Sequence, residues 1–210
     1  MNKTIKIFSL ILLFTLTQIT LGQELTPSQQ NELKSKVKLA AQNTKTIVSD
    51  FKQVKYMEVM ESDIPSNGKL VFKSPNLIRW EYMTPYKSTV VFKEDKLFVS
   101  QDGKKDAYDL SSNKMFRSLN SLIVGSLNGD MFDNSKFEIT YFTDAVGYRV
   151  VFVPKEKKIL KFIGSFQLKF DKEKGEVLEV KLNEPNGDYT RITFQNKKLN
   201  SAVSEQEFKL

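Results

Sequence analysis

GKLVFKSPNLIRWEYMTP, residues 68–85, holds two runs of alternating character. Leu70 and Phe72 share one face of the first run; Ile78, Trp80 and Tyr82 share one face of the second, with Arg79 and Glu81 on the opposite side. A two-residue period belongs to strands. Ser74-Pro75 interrupts the runs, since proline brings no backbone donor to a paired ladder, and the chain turns there. The chain's single tryptophan lies on the apolar side. A sheet that is apolar on one face must cover that face with something.

The pattern continues outward. Upstream, Phe51 opens a strand through Val54 and Tyr56, and Pro65-Ser66-Asn67-Gly68 reads as a hairpin turn into strands at 69–73 and 77–83, Asn-Gly being the strongest short signal for one. Downstream, Ser88 to Phe92 and Lys96 to Ser100 are joined through Glu94-Asp95, and Asp102-Gly103 turns the chain toward Ala107-Tyr108. Further strands are expected near 136–142, 147–153, 163–170, 177–183 and 188–195, with Gly147, Pro154, Lys174-Gly175 and Pro185-Asn186-Gly187 between them. About eleven strands result. An antiparallel sheet of that many strands curls as twist accumulates, and an incomplete barrel is the natural outcome. Its concave face is filled by side chains, helices or a ligand; a packed β-sandwich fits the composition equally well.

Two segments carry the helical period instead. Thr26 as N-cap, Pro27 at the first helical position and Gln29 completing a capping box start a helix expected to run to about Val48. Leu33, Val37, Ala40, Ala41, Thr44, Ile47 and Val48 form its apolar stripe, with Lys34, Lys38, Gln42 and Lys45 opposite. Met115, Phe116, Leu119, Leu122, Ile123, Ser126 and Leu127 repeat that spacing up to Asn128-Gly129, a stop signal. No repeat, linker or low-complexity tract divides the chain, so residues 23–210 are read as one domain.

The first residues place Lys3 and Lys6 before an apolar run from Ile7 to Leu16, with small residues at Thr20 and Gly22. That is the pattern of a signal peptide cleaved before Gln23, and its apolar core is too short to span a bilayer. No cysteine follows it, so a soluble exported protein is expected rather than a lipoprotein. The 210 residues contain neither Cys nor His, which excludes Cys/His zinc sites, thiol nucleophiles, Ser-His-Asp triads and histidine proton shuttles. Net charge is +7, and removal of residues 1–22 leaves 30 basic against 25 acidic side chains, or +5. The lysines are spread along the chain and read as a solvated surface, not a nucleic-acid face.

Residues 68–85 also resemble the signature region of the outer-membrane lipoprotein carrier proteins, the LolA family of the Gram-negative periplasm. In that family a glycine-led strand, a basic residue, Pro-Asn and an aromatic Arg-Trp-Glu segment precede a proline. GDYTRITF at 187–194, then Asn196, Leu199-Asn200, Val203 and Phe208, resemble its last strands and tail. SNKMFRSLNSLIVGSLNGDMF, residues 112–132, resembles a divergent, Bacteroidetes-type branch. The resemblance implies a mainly β fold: one curved antiparallel sheet forming an open half β-barrel, covered by helices acting as a lid over an apolar cavity for acyl chains. It assigns the ligand surface to Leu70, Phe72, Ile78, Trp80, Tyr82, Phe92 and Phe98 of the sheet and to Met115, Leu119, Leu122 and Ile123 of the central helix.

It further implies a monomeric carrier without cofactor, metal or catalytic residue. Its partners would be lipoproteins or other acylated lipids, an inner-membrane releasing transporter and an outer-membrane acceptor. The chain departs from the pattern at one position. Where the carriers place an arginine that ties lid to barrel, Ser74 follows Lys73. Serine makes no bidentate charged contact, so either Lys73 or Arg79 substitutes as the latch or the closed state is held differently.

Two other readings remain. One is a carrier or sensor of another amphiphile, a glycolipid or pigment lipid, on the same fold. The other is a hydrolase using paired carboxylates among Glu58, Glu61, Asp63, Glu81 and Asp106, since such pairs run glycoside chemistry without histidine.

Overall fold

A computed structural model describes residues 22–93, 96–109 and 130–210. A short strand β1 (Gln23–Glu24) leads into helix α1 (Pro27–Asn43). A first meander follows: β2 (Thr46–Tyr56), β3 (Ile64–Lys73), β4 (Leu77–Thr84), β5 (Ser88–Lys93), β6 (Lys96–Gln101) and β7 (Lys104–Asp109). The second comprises β8 (Phe137–Thr143), β9 (Gly147–Pro154), a one-turn helix α2 (Lys157–Leu160), β10 (Ser165–Asp171), β11 (Val177–Asn183) and β12 (Tyr189–Leu199), and ends in a 3-10 helix at Glu205–Phe208.

All twelve strands join one antiparallel sheet in the order β1-β8-β9-β10-β11-β12-β2-β3-β4-β5-β6-β7. The two meanders are sewn together where the last strand, β12, pairs with β2. β1 and β7 are left as edges, so the barrel stays open. Apolar side chains of the concave face gather in two clusters. Leu33 and Val37 of α1 pack with Met131 and with Phe137, Tyr141, Val150, Phe152, Leu168 and Phe170 of the second meander. Leu70, Phe72 and Ile78 form the other, with Ile47, Trp80, Phe92 and Phe194 against them. The helix therefore fills one half of the trough.

Helix α1 starts as the sequence predicts. The Gln29 N–H donates to the Thr26 hydroxyl and the Thr26 N–H to the Gln29 side chain, with Pro27 at the first position. It ends earlier than Val48, however. The Asn200 side chain accepts from the Lys45 N–H at 2.7 Å and donates to the Asn43 carbonyl at 2.9 Å, fixing the corner. Ile47 and Val48 belong to β2, where Ile47 lies between Phe72 and Leu199. β-branched residues lose side-chain freedom in a helix and fit a paired strand.

The expected turn at Pro65–Gly68 is likewise part of a strand. Pro65, Ser66, Asn67 and Gly68 pair with Val54, Gln53, Lys52 and Phe51, and the chain turns at residues 57–63 instead. Gly68 is needed for close approach: a Cβ there would lie 1.8 Å from the Glu81 carbonyl oxygen and 2.8 Å from Phe51 Cζ. Asp102-Gly103 does turn as expected, with φ of 51° and 78°, the positive pair that a two-residue hairpin requires. Among the described residues the strand count is twelve rather than about eleven, because β1 is too short to show a period. The expected approach of Glu81 and Asp106 is not made: Glu81 on β4 and Asp106 on β7 are three strands apart, and Glu81 is paired with Arg79.

Candidate functional site

Among the described residues the trough between the two clusters is not filled, and a cavity of about 520 Å³ remains. Its walls follow from the strand period. Leu70, Trp80 and Val90 stand in one cross-strand row and Ile78 and Phe92 in the next. Opposite them, Leu168, Val180 and Ile192 form another row across β10, β11 and β12. All of these line the cavity, as do Val37, Ala40 and Ala41 of α1. The two alanines matter by being small: longer side chains there would occupy the space.

One wall is aromatic. Trp80 stacks tilted on Phe51 at 4.5 Å between ring centres, and Phe194 meets it edge-on at 6.2 Å. Tyr82 completes the group, 5.3 Å from Phe51 in a T-shaped contact. The Tyr82 hydroxyl donates to the side-chain Oε1 of Gln53 at 2.9 Å. Burial pushes its phenol above the ordinary value, opposed by Trp80 and Gln53. The Trp80 indole N–H is buried and makes no hydrogen bond, although it lies near enough to the Tyr82 oxygen to oppose that shift. An aromatic wall with an unspent donor suits an amphiphile better than a wholly apolar guest.

The sequence-predicted residues separate into groups. Leu70, Ile78, Trp80, Tyr82 and Phe92 all line the cavity. Phe72 shares their face but is buried in the cluster behind them, only 1% exposed, and is not among the lining residues. Phe98 is a correction: it pairs with Val91, which pairs with Arg79, so it lies on the face turned away from the cavity. Met115, Leu119, Leu122 and Ile123 lie outside the described residues. Arg79 faces outward as its parity requires, bonded to Glu81 and to the carbonyls of Glu207 and Lys209. Lys73 is paired with Glu205 at 3.6 Å, and the Ser74 N–H donates to the Lys45 carbonyl. These contacts of Lys73 and Arg79 run to a neighbouring strand residue and the C-terminal tail, behind the cavity wall.

Several lining residues were not singled out from sequence, among them Phe166, Leu168, Val180, Ile192 and Phe194. The same alternation marks them in β10 to β12, and only the choice of face was lacking. Two further lining residues, Glu176 and Lys197, are charged and form an ion pair at 3.0 Å. Among the described residues no cluster of three or more Asp or Glu side chains is placed to hold a metal. No described helix is long and apolar enough to cross a membrane.

Comparison with known proteins places this geometry. The chain is 27% identical over 169 residues to an outer-membrane lipoprotein carrier protein of Methylococcus capsulatus, covering 77% of this chain and 75% of that one. The fold is shared with an uncharacterized conserved protein of Thermus thermophilus, at TM-score 0.55, 8% identity and coverage of 87% and 94% of the two chains. It is also shared with the Mycobacterium tuberculosis lipoprotein LppX, at TM-score 0.52, 6% identity and coverage of 85% and 99%. Residues 42–210 match the family described as outer membrane lipoprotein carrier protein LolA, and with that span the chain belongs to the LolA family.

Proposed function

We propose that this protein carries lipoprotein acyl chains through the periplasm, from an inner-membrane transporter that releases them to an outer-membrane acceptor. The observation that carries the reading is the apolar cavity of about 520 Å³ in an open barrel of this family. Leu70, Ile78, Trp80, Tyr82 and Phe92 would touch the chains, with Phe72 supporting them from behind. Carriage breaks no bond and calls for no cofactor; the protein supplies shelter and a way to let go.

Release sets the size of the shelter. Each methylene removed from water is worth about 0.8 kcal/mol, so one wholly enclosed chain of about sixteen carbons would contribute ~12 kcal/mol. That already corresponds to roughly nanomolar affinity. Three such chains would never leave. A cavity in the range of ordinary ligand pockets, about 300–1,000 Å³, covers part of that surface and leaves the rest to be given up at the acceptor.

Native mass spectrometry of the mature protein from its own periplasm tests the reading. A bound triacylated lipoprotein is the expected result. A different bound lipid would move the function to another amphiphile on the same fold. A protein that stays empty, even after incubation with a purified triacylated lipoprotein, would overturn carriage.

A further inference from the structure

Resting on the carrier reading, we infer that Lys197 and Glu176 read the linkage at the head of the acyl chain, favouring the neutral carbonyl of an ester or amide over a free carboxylate. The pair stands inside the lining for a structural reason. β12 shifts register against β2 between Gln195 and Lys198, so that Asn196 and Lys197 together oppose the single residue Ser49. Asn196 takes a φ of 52° and donates its side-chain N–H to Asp50 at 2.8 Å. A bulge of this kind re-aims the next side chain. Lys197 is thereby turned to the cavity side with Phe194 and Leu199, where strict alternation from Phe194 would have sent it outward.

Its chemistry is half committed. The Lys197 ammonium donates to Glu176 Oε2 at 3.0 Å and to the Val177 carbonyl at 2.8 Å. An ammonium has three donors, so one remains for a guest. Lys197 and Glu176 are the only charged lining residues among the described residues, and their side chains are 17% and 22% exposed. Glu176 cancels the positive charge at the same point where the spare N–H is offered. A carbonyl oxygen can accept that bond and bring no charge of its own. A carboxylate would have to sit beside the Glu176 carboxylate in a poorly hydrated wall, where like charges repel strongly. The ion pair thus separates acyl chains in ester or amide linkage from free fatty acids.

The test measures displacement of a cavity-bound fluorescent dye by decanoate and by methyl decanoate, which share the chain and differ at the head. Each ligand is compared across proteins, so differences in solubility cancel. In Glu176→Gln the lysine charge is uncompensated, and decanoate should bind about fivefold more tightly, so that the ratio of decanoate to methyl decanoate affinity rises. In Lys197→Met, methyl decanoate should bind about threefold more weakly for want of the donor. No gain for decanoate in a Glu176→Gln protein whose urea midpoint matches the wild type overturns the inference and leaves carriage standing. If neither ligand displaces the dye from the wild-type protein, the carrier reading itself fails.

Discussion

Tyr141 shows how far a single side chain can be read. Its ring lies in the main cluster and its hydroxyl is buried without a partner, so burial pushes the phenol up to about 12 from the ordinary value of 10. A raised pKa means the folded protein holds the proton more tightly than the unfolded chain. The contribution is fully present below pH 10 and is lost as pH rises through the folded value near 12. Tyr141→Phe removes an unpaired hydroxyl and should be neutral or stabilising by up to ~1 kcal/mol near neutrality. Its advantage in urea midpoint should widen between pH 10 and 12. Midpoints that fall in parallel would mean the phenol ionises freely. At this scale the sequence was legible wherever apolar and polar residues alternate, as at Ile78, Arg79, Trp80, Glu81 and Tyr82. It was not at Phe98, because Val90-Val91-Phe92 and Leu97-Phe98-Val99 are apolar throughout and no period distinguishes their faces.

At the scale of the element, Asn67-Gly68 and Asp102-Gly103 carry the same kind of turn signal with different outcomes. The second pair adopts positive φ and turns; the first stays in β3, because pairing with both β2 and β4 outweighs a local preference. What Gly68 supplies is the absence of a side chain. Gly68→Ala would drive a Cβ into the Glu81 carbonyl and the Phe51 ring. It should cost about 2–4 kcal/mol in urea denaturation, beyond the ordinary range of surface changes. A loss under ~1 kcal/mol would show that β3 and β4 separate easily at that point. The end of α1 was hidden for a related reason. Apolar spacing continues through Ile47 and Val48, and the residue that stops the helix, Asn200, lies 157 positions from the Asn43 carbonyl it holds. Local periodicity cannot register a cap delivered from the far end of the chain.

For the whole molecule, strand number and twist left an open barrel and a packed sandwich both possible, and the resemblance to the carrier family supplied the open barrel and its cavity, since alternation marks a covered face without saying what covers it. Stability and carriage make opposite demands on that space. A filled cavity would add contacts and remove the guest's place; an empty one forgoes packing so that a chain can enter. Val180, at mid-strand between Leu168 and Ile192, lines the cavity across from the aromatic wall. Val180 also packs against the main cluster, but its cavity side is open to the added ring, so in Val180→Phe the urea midpoint should hold or rise, by up to ~1 kcal/mol. Acyl binding should fall by more than about tenfold, the effect of displacing roughly two methylenes from the cavity. Trp80, as the only tryptophan and a lining residue, reports the outcome directly. A brominated acyl chain should quench its fluorescence in the wild-type protein and lose that effect in Val180→Phe. Quenching that persists unchanged in a stable Val180→Phe protein would place the chain elsewhere on the barrel and detach the cavity from carriage.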